Sequence, residues 1–520
     1  MSVLGYVHES PSPRVSSVIS GSPLPLGEYV SMRFKDPRGS GFITALAVVS
    51  NSGYRLAVPI STLRYIGGES SEGSEFPKLS PIALYVIAEV FEGGLSEPPR
   101  YPVPPDTPVE PASADLLKEV YGSGGTVRIG ELAPRRLGVE IRVNPDKLAK
   151  HLFIAGATGS GKSNLVAILA DRLSAIGAPV LIFDAHGEYN IVPEDGDVNR
   201  VHVVQAKINP LKIPPRILSA IIIPEAGARR QRRLLTKAIE SLNSRIMSKA
   251  EREKVAPPIA IEMMTSKCQS EVEDTEELDR EEILAACYGE LLKNELSNQG
   301  GADGEDKKRV EVVKDKVEEF FERTPVTITG EQPTAYVKPG TITVVDTSTL
   351  DDEQKRWIVK ILVDELLVKL KREGAPVVVV IEEAPLFLSV NQTHPVKASL
   401  QKFAREGRKF GGCLIVVSQR PRSLDVNVVS QLQNFVFLRM VQEEDIRTVM
   451  NIADSLDQNL ANIIPTLPDG RAIVMGEWIG RFPALVDIDL HKGKRVGATP
   501  PLTKIWSSMR GEERVSFSVE

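Results

Sequence analysis

The chain has 520 residues, 42% of them hydrophobic and 25% charged, too many for one core, so about three domains or subdomains are expected. That balance argues against disorder and fibrous repeats, and a formal net charge of −6 argues against a uniformly basic nucleic-acid coat. The charge is unevenly spread: residues 270–323 sum to −10 and residues 229–254 to +6, so partners have to be read segment by segment. The three cysteines, Cys268, Cys287 and Cys413, lack C-x-x-C spacing. They imply neither a disulfide framework nor a zinc knuckle and fit a reducing compartment. No apolar run approaches the ~18–20 residues of a membrane span and no signal peptide is visible, so a soluble, cytoplasmic protein is expected.

In chain order, the first hundred residues read as β. Residues 3–7, 29–34, 42–49, 54–58 and 82–91 are β-branched or aromatic runs separated by Gly, Pro, Ser and Asn, as in a small barrel or sandwich. Seven of the fourteen residues at 98–111 are proline, giving a stiff connector. Runs at 126–129 and 137–143 are expected to complete the barrel, which is bounded at 1–145. From 151 onward, apolar strands alternate with helix-period segments, the signature of a parallel α/β sheet. Strands are expected at 151–155, 180–184, 201–204, 341–346, 377–381, 413–418, 435–439 and 471–475. The α/β core is thus assigned to 146–210 and 326–477. Residues 211–325 are charged, broken at Pro257-Pro258 and Gly300-Gly301, and expected to insert three or four helices. Residues 478–520 form a C-terminal extension.

Gly156-Ala157-Thr158-Gly159-Ser160-Gly161-Lys162-Ser163 matches G-x-x-x-x-G-K-[ST] between a strand and a helix. Glycines at 156, 159 and 161 let successive N–H groups converge on phosphate oxygens, and the helix N-terminus adds partial positive charge. Lys162 brings a full charge to the β- and γ-phosphates and Ser163 a hydroxyl ligand to Mg2+; Thr158, Ser160 and Asn164 complete the expected contacts. ATP and Mg2+ are the cofactors. The run at 377–381 ends in Glu382, placed to hold the Mg2+ shell through water, and Glu383, able to orient and polarise an attacking water.

Another strand leads into Asp184-Ala185-His186-Gly187-Glu188-Tyr189, at the sheet edge where α/β proteins bind ligands. Asp184 and Glu188 are therefore candidates for metal or water near the γ-phosphate; the plainer alternative is a helix cap and a surface loop. Gln419, at the end of the strand at 413–418, is a candidate γ-phosphate sensor. Ahead of that strand, Arg408 is the first candidate, and Arg405 the second, for an arginine finger that reaches a neighbour's nucleotide in a ring.

The segments KHLFIAGATGSGKS (150–163), FDAHGEY (183–189), INPL (208–211), IEEA (381–384), EGRKFG (406–411) and SQRP (418–421) together resemble the archaeal HerA helicases. These belong to the HerA/FtsK group of RecA-like ATPases, and the similarity runs along nearly the whole chain. It implies an α/β fold: a RecA-like P-loop ATPase core with an N-terminal β-barrel and a helical insertion. It further implies a homo-oligomeric, hexameric ring that hydrolyses ATP to translocate on double-stranded DNA. The expected partners are the NurA nuclease and other end-resection machinery, leaving 3′ overhangs at double-strand breaks; no membrane is expected. Matching positions make Glu383 the catalytic glutamate, Arg408 the arginine finger and Lys150 a weaker nucleotide contact, while Glu382 stands where Asp is usual. Two other functions fit such a motor: pumping DNA or protein at a membrane, or a nucleotide switch without translocation. DNA contacts are expected among Lys397, Lys402, Arg405, Lys409, Arg420 and Arg422, and the lack of interleaved aromatics favours duplex.

Overall fold

Two sheets carry the fold of the computed structural model, which describes residues 3–39, 41–53, 55–56, 78–122, 125–225, 227–273, 280–299 and 304–493. The first holds β1 (Gly5–Ser12), β2 (Val15–Ser20), β3 (Tyr29–Lys35), β4 (Phe42–Ser52), β5 (Arg55–Leu56), β6 (Lys78–Phe91), β7 (Ser96–Glu97) and β8 (Pro108–Pro111). Strands in the order β2-β1-β8-β3-β4-β6, with β6 pairing back to β2, close a barrel. Its core takes alternate residues of each strand, such as Val30, Met32 and Phe34 from β3, as a period of two requires. Serine-rich β2 is absent from the expected strands, yet Ser16, Val18 and Ser20 are buried. Of the run expected at 54–58, all but β5 lies outside the described residues.

The second sheet holds β9 (Val127–Leu132), β10 (Glu140–Val143), β11 (Leu152–Ala155), β12 (Val180–Asp184), β13 (Val201–Gln205), β14 (Ile342–Asp346), β15 (Val377–Ile381), β16 (Gly412–Ser418), β17 (Asn434–Leu438), β18 (Arg471–Gly476) and β19 (Ala484–Ile488). Their order is β10-β9-β19-β18-β17-β11-β16-β15-β12-β14-β13. From β17 to β13 all pairs are parallel; the others are antiparallel. Buried on both faces, the parallel strands read as near-continuous apolar runs, which is why each expected core strand falls within a residue or two of an observed one. Of the shorter helices, α1 (Ala114–Tyr121) links the two sheets, and α2 (Lys162–Ala175) follows β11.

Two boundaries are corrected. The runs at 126–129 and 137–143 do not complete the barrel; they lie in β9 and β10 of the second sheet, where β9 packs on α2 and pairs with β19. The barrel therefore ends at Pro111 rather than 145. The C-terminal extension is part of the core as far as β19, and residues 494–520 lie outside the described residues. Barrel and core meet at Tyr29, whose Oη accepts from Leu485 N at 3.0 Å, and the linking helix α1 is tied to the core by Tyr121 Oη donating to Pro483 O at 2.8 Å.

The insertion contains six helices among the described residues rather than three or four: α3 (Pro215–Ile222), α4 (Arg229–Glu253), α5 (Pro257–Glu262), α6 (Ser266–Glu273), α7 (Arg280–Gln299) and α8 (Gly304–Arg323). Proline at the first turn starts α5, as its preset φ favours. Buried Cys268 and Cys287 form a disulfide between α6 and α7. That corrects the expectation of no disulfide, since helix packing unites cysteines 19 residues apart.

A buried ionic network ties the chain's end to α2. Asp489 accepts from Arg128 Nε at 2.9 Å and Arg172 Nη1 at 2.8 Å. Asp171 accepts from Arg200 Nη2 at 2.8 Å and meets His491 Nε2 at 3.0 Å. Removing one member of such a network strands its partners in a poorly solvated place. Asp489→Ala is expected to cost about 3 kcal/mol of unfolding free energy; denaturant melts showing less than about 1 kcal/mol would contradict that arrangement.

Candidate nucleotide-binding site

Every parallel strand points its C-terminal end the same way, so the chemistry-bearing residues collect at one edge. The loop 156–163 leaves β11 there. A Cβ on Gly156 would lie 2.6 Å from Ser160 Oγ and 2.8 Å from Leu438 Cβ, and Gly161 opens α2 at φ 110°. Only glycine tolerates both constraints. Gly156 N and Ala157 N are bonded to Ser418 O and Arg439 O, at 3.3 and 2.8 Å. The N–H groups of the first turn of α2 have no partner within the helix, so together with exposed Thr158 and Gly159 they form a cradle that fits phosphate.

Lys162 folds back, its Nζ donating to Ala157 O at 2.9 Å. Burial holds its ammonium below the usual lysine range, opposed by the charges of Glu382, Glu383 and Glu188. Ser163 Oγ donates to Glu188 Oε2 at 3.4 Å, and Thr158 Oγ1 donates to Gln419 Oε1 at 2.6 Å. Glu382 is buried; Tyr189 Oη donates to its carboxylate and Glu383 N to its Oε2 at 3.3 Å. Desolvation pushes its carboxyl above the ordinary 4.5, against those two bonds and Lys162. Glu383 sits in left-handed backbone at φ 44°, a conformation that costs a non-glycine residue of order 1 kcal/mol and gathers at functional sites. The turn is held by Ala384 N donating to Val417 O at 3.0 Å.

Three expected contacts are relocated. Asn164 is buried and turned away from the loop: its Nδ2 donates to Asp489 O at 2.7 Å and its Oδ1 accepts from His491 N at 3.0 Å. Ser160 faces inward, its Oγ and N both donating to Ala157 O, at 2.7 and 3.2 Å. Asp184 binds backbone: Oδ1 accepts from His186 N and Gly187 N, at 3.1 and 2.9 Å, and Oδ2 from Tyr189 N at 2.8 Å. It therefore shapes the loop that carries Glu188 and Tyr189. Tyr189, within a motif already singled out but given no role, is the residue that orients Glu382.

Arg408 and Lys150 stand at the opposite edge. Arg408 precedes β16, whose seven residues put it about 20 Å from Gln419, and Lys150 precedes β11. Lys150 pairs with Glu477, with Lys147 3.8 Å from the same carboxylate. The Lys150 hydrogen bond foremost, with the charges of Lys147 and Arg408, holds the Glu477 carboxyl below its usual range. Buried His151 fastens this edge. Leu414 N donates to its Nδ1 at 3.0 Å, so Nε2 carries the proton and donates to Ala404 O at 2.7 Å, in the π turn Phe403–Gly407 just before Arg408. Burial, with the Arg408 charge, keeps the ring below the ordinary histidine range. Of the expected DNA contacts, Lys397 is paired with Asp425 and Arg422 with Glu444; Lys402, Arg405, Lys409 and Arg420 are exposed.

A parallel sheet with this loop, a strand-end glutamate pair and a polar strand-end glutamine defines a RecA-like P-loop ATPase. The family model described as "Helicase HerA, central domain" matches residues 127–366, starting at the first residue of β9, which the barrel does not take. The DNA double-strand break repair helicase HerA of Saccharolobus solfataricus is 30% identical over 524 residues, 99% of this chain and 97% of that protein. Its counterpart in Sulfolobus acidocaldarius is 31% identical over 527 residues, 99% of each. Among solved structures, VirB4 of Thermoanaerobacter pseudethanolicus aligns at a TM-score of 0.48 and 16% identity over 71% of this chain and 98% of that one. The chain belongs to the HerA family, and is thus an ATP-hydrolysing enzyme of the helicase and translocase class.

A raised carboxyl pKa has a stability signature. Because the folded value of Glu382 lies above 4.5, its ionised form penalises the folded state as pH rises from about 4.5 through the folded value, and not below. Glu382→Gln should melt like the parent in acid and higher than the parent at neutral pH and above; thermal melts across pH that show no such divergence would contradict the buried carboxylate.

Proposed function

We propose that this chain is a ring-forming, hexameric motor that hydrolyses ATP with Mg2+ to move along double-stranded DNA. It would act with the NurA nuclease in resecting double-strand breaks to 3′ overhangs. The observation that carries the reading is the separation of Lys162, Ser163, Glu382, Glu383 and Gln419 from Arg408 and Lys150, which lie at opposite edges of one sheet. A cation about 20 Å from its own phosphate loop serves a nucleotide only on a neighbouring copy. The relatives' names, DNA double-strand break repair helicases, support duplex as the track. No helix of the described residues is long and apolar enough to cross a membrane.

In this reading Lys162 exchanges Ala157 O for phosphate oxygens. Ser163, with Glu382 through water, holds Mg2+; the donor set fits, one hydroxyl beside two carboxylates within reach of a phosphate cradle. The ion supplies positive charge that offsets the phosphates. Glu383 orients the attacking water and takes its proton, and Gln419, already bonded to Thr158, reports the γ-phosphate. Glu188 adds a polar anchor beside Ser163, positioned by Asp184. Arg408 of a neighbour, with Lys150 beside it, stabilises charge developing in transfer, an effect of ~10³–10⁵ in rate.

Arg408→Ala should bind ATP but turn over at least about 10³-fold more slowly. Adding Lys162→Ala subunits, inactive alone but carrying an intact Arg408, should restore part of that turnover; no restoration on mixing would rule out the trans arrangement. Linear duplex should stimulate the wild-type ATPase, with stimulation falling steeply as salt rises. Activity indifferent to DNA in size-fractionated protein would point to a protein pump or a switch.

A further inference from the structure

The basic run at 229–254 takes no part in the site above. It forms most of α4, a 25-residue helix buried along Leu235, Ala238, Ile239, Leu242 and Ile246. Most cations in its second half are engaged: Arg245 with Glu295, Lys249 with Met263 O, and Arg252 with Glu253. Near its start Arg232 donates to Glu225 O at 2.7 Å. Arg229, Arg230, Arg233 and Lys237 differ. All four are exposed and form no ion pair among the described residues. Glu240 is the one acid in this half of the helix.

Two features argue against incidental surface charge. Cations in the first turns oppose the helix dipole, each at roughly 0.3–1 kcal/mol, and α4 has no side-chain cap to offset them. The insertion that carries the patch also departs from the far side of the sheet, away from the phosphate loop. The insertion leaves the sheet after β13, five strands from β11, about 24 Å at ~4.8 Å per strand. Arg229, Arg233 and Lys237 fall on one stripe about 12 Å long at ~1.5 Å per residue. That matches the axial rise of three to four phosphates on one DNA strand at ~3.4 Å each, and three of the four cations are forked guanidiniums suited to phosphate.

We infer that Arg229, Arg230, Arg233 and Lys237 form a second, sequence-independent contact with the phosphate backbone of duplex DNA, outside the ATPase sheet. This rests on the DNA-motor reading and adds a surface to it. The test combines Arg229→Gln, Arg230→Gln, Arg233→Gln and Lys237→Gln in the full chain and titrates a fluorescent linear duplex over a salt series. DNA-free ATPase should be unchanged and the melting temperature no lower. Affinity at low salt should fall at least about tenfold, and the slope of log K against log salt should lose about two to four. The triple lysine variant (Arg229→Lys, Arg230→Lys, Arg233→Lys, with Lys237 kept) should retain most of the wild-type slope. An unchanged slope in the Gln variant overturns the inference and leaves an acidic protein surface as the occupant. Equal loss in the Lys variant also overturns it, because the effect would not be phosphate charge. Wild-type protein that binds no duplex overturns both this contact and the motor reading, whereas DNA-stimulated wild type with an indifferent variant overturns this contact alone.

Discussion

Parallel pairing across β17, β11, β16, β15, β12, β14 and β13 is the constraint from which the rest follows. Strands that share a direction must place every exit at one edge and every entry at the other. Lys162, Asp184, Glu382 and Gln419 therefore come together although up to 257 positions separate them in the chain (Lys162 to Gln419). The same polarity carries Lys150, His151 and Arg408 together at the entry edge. A single geometric rule thus produces two separate constellations, one rich in carboxylates around a lysine, the other rich in cations around Glu477.

Burial is used differently in the two halves of the core. Around Asp489 and Asp171 each carboxylate meets guanidinium or imidazole partners, so charge is largely compensated and the segment after β19 is fixed against α2. Around Glu382 compensation is incomplete: one phenol, one amide and a lysine already bonded elsewhere. The nearby Glu383 backbone is left-handed. A fold that neutralises one buried cluster and leaves another short of partners has reserved the second for a ligand.

The sequence was legible where chemistry follows an apolar run. Glu382 and Gln419 could be placed because five- to seven-residue buried strands announce their own ends, and the glycine spacing of 156–163 marks its loop. It was illegible where a side chain's destination lies far along the chain. Ser160 sits inside the phosphate-loop motif and Asn164 directly after it, yet Ser160 is claimed by Ala157 and Asn164 by residues 489–491. The sheet membership of β9 depends on β19, over 350 residues later, and short strands carry no label for their partner. β2 was hidden by serines that hydrogen-bond inside the barrel wall: Ser20 Oγ donates to Leu4 O at 2.5 Å. Cys268 and Cys287 are joined by helix packing that spacing alone does not encode.

The two-edged sheet also limits which assemblies can work. A two-fold dimer makes each of its contacts twice, reciprocally, so it ends at two sites. Head-to-tail contacts also join an exit edge to an entry edge, and they either close into a ring or continue as an open helical chain. With Arg408 acting in trans as proposed, the terminal subunit of an open chain would lack an arginine donor, whereas closure would leave none without one. Topological closure, rather than any added contact, is what would make every copy of the site complete.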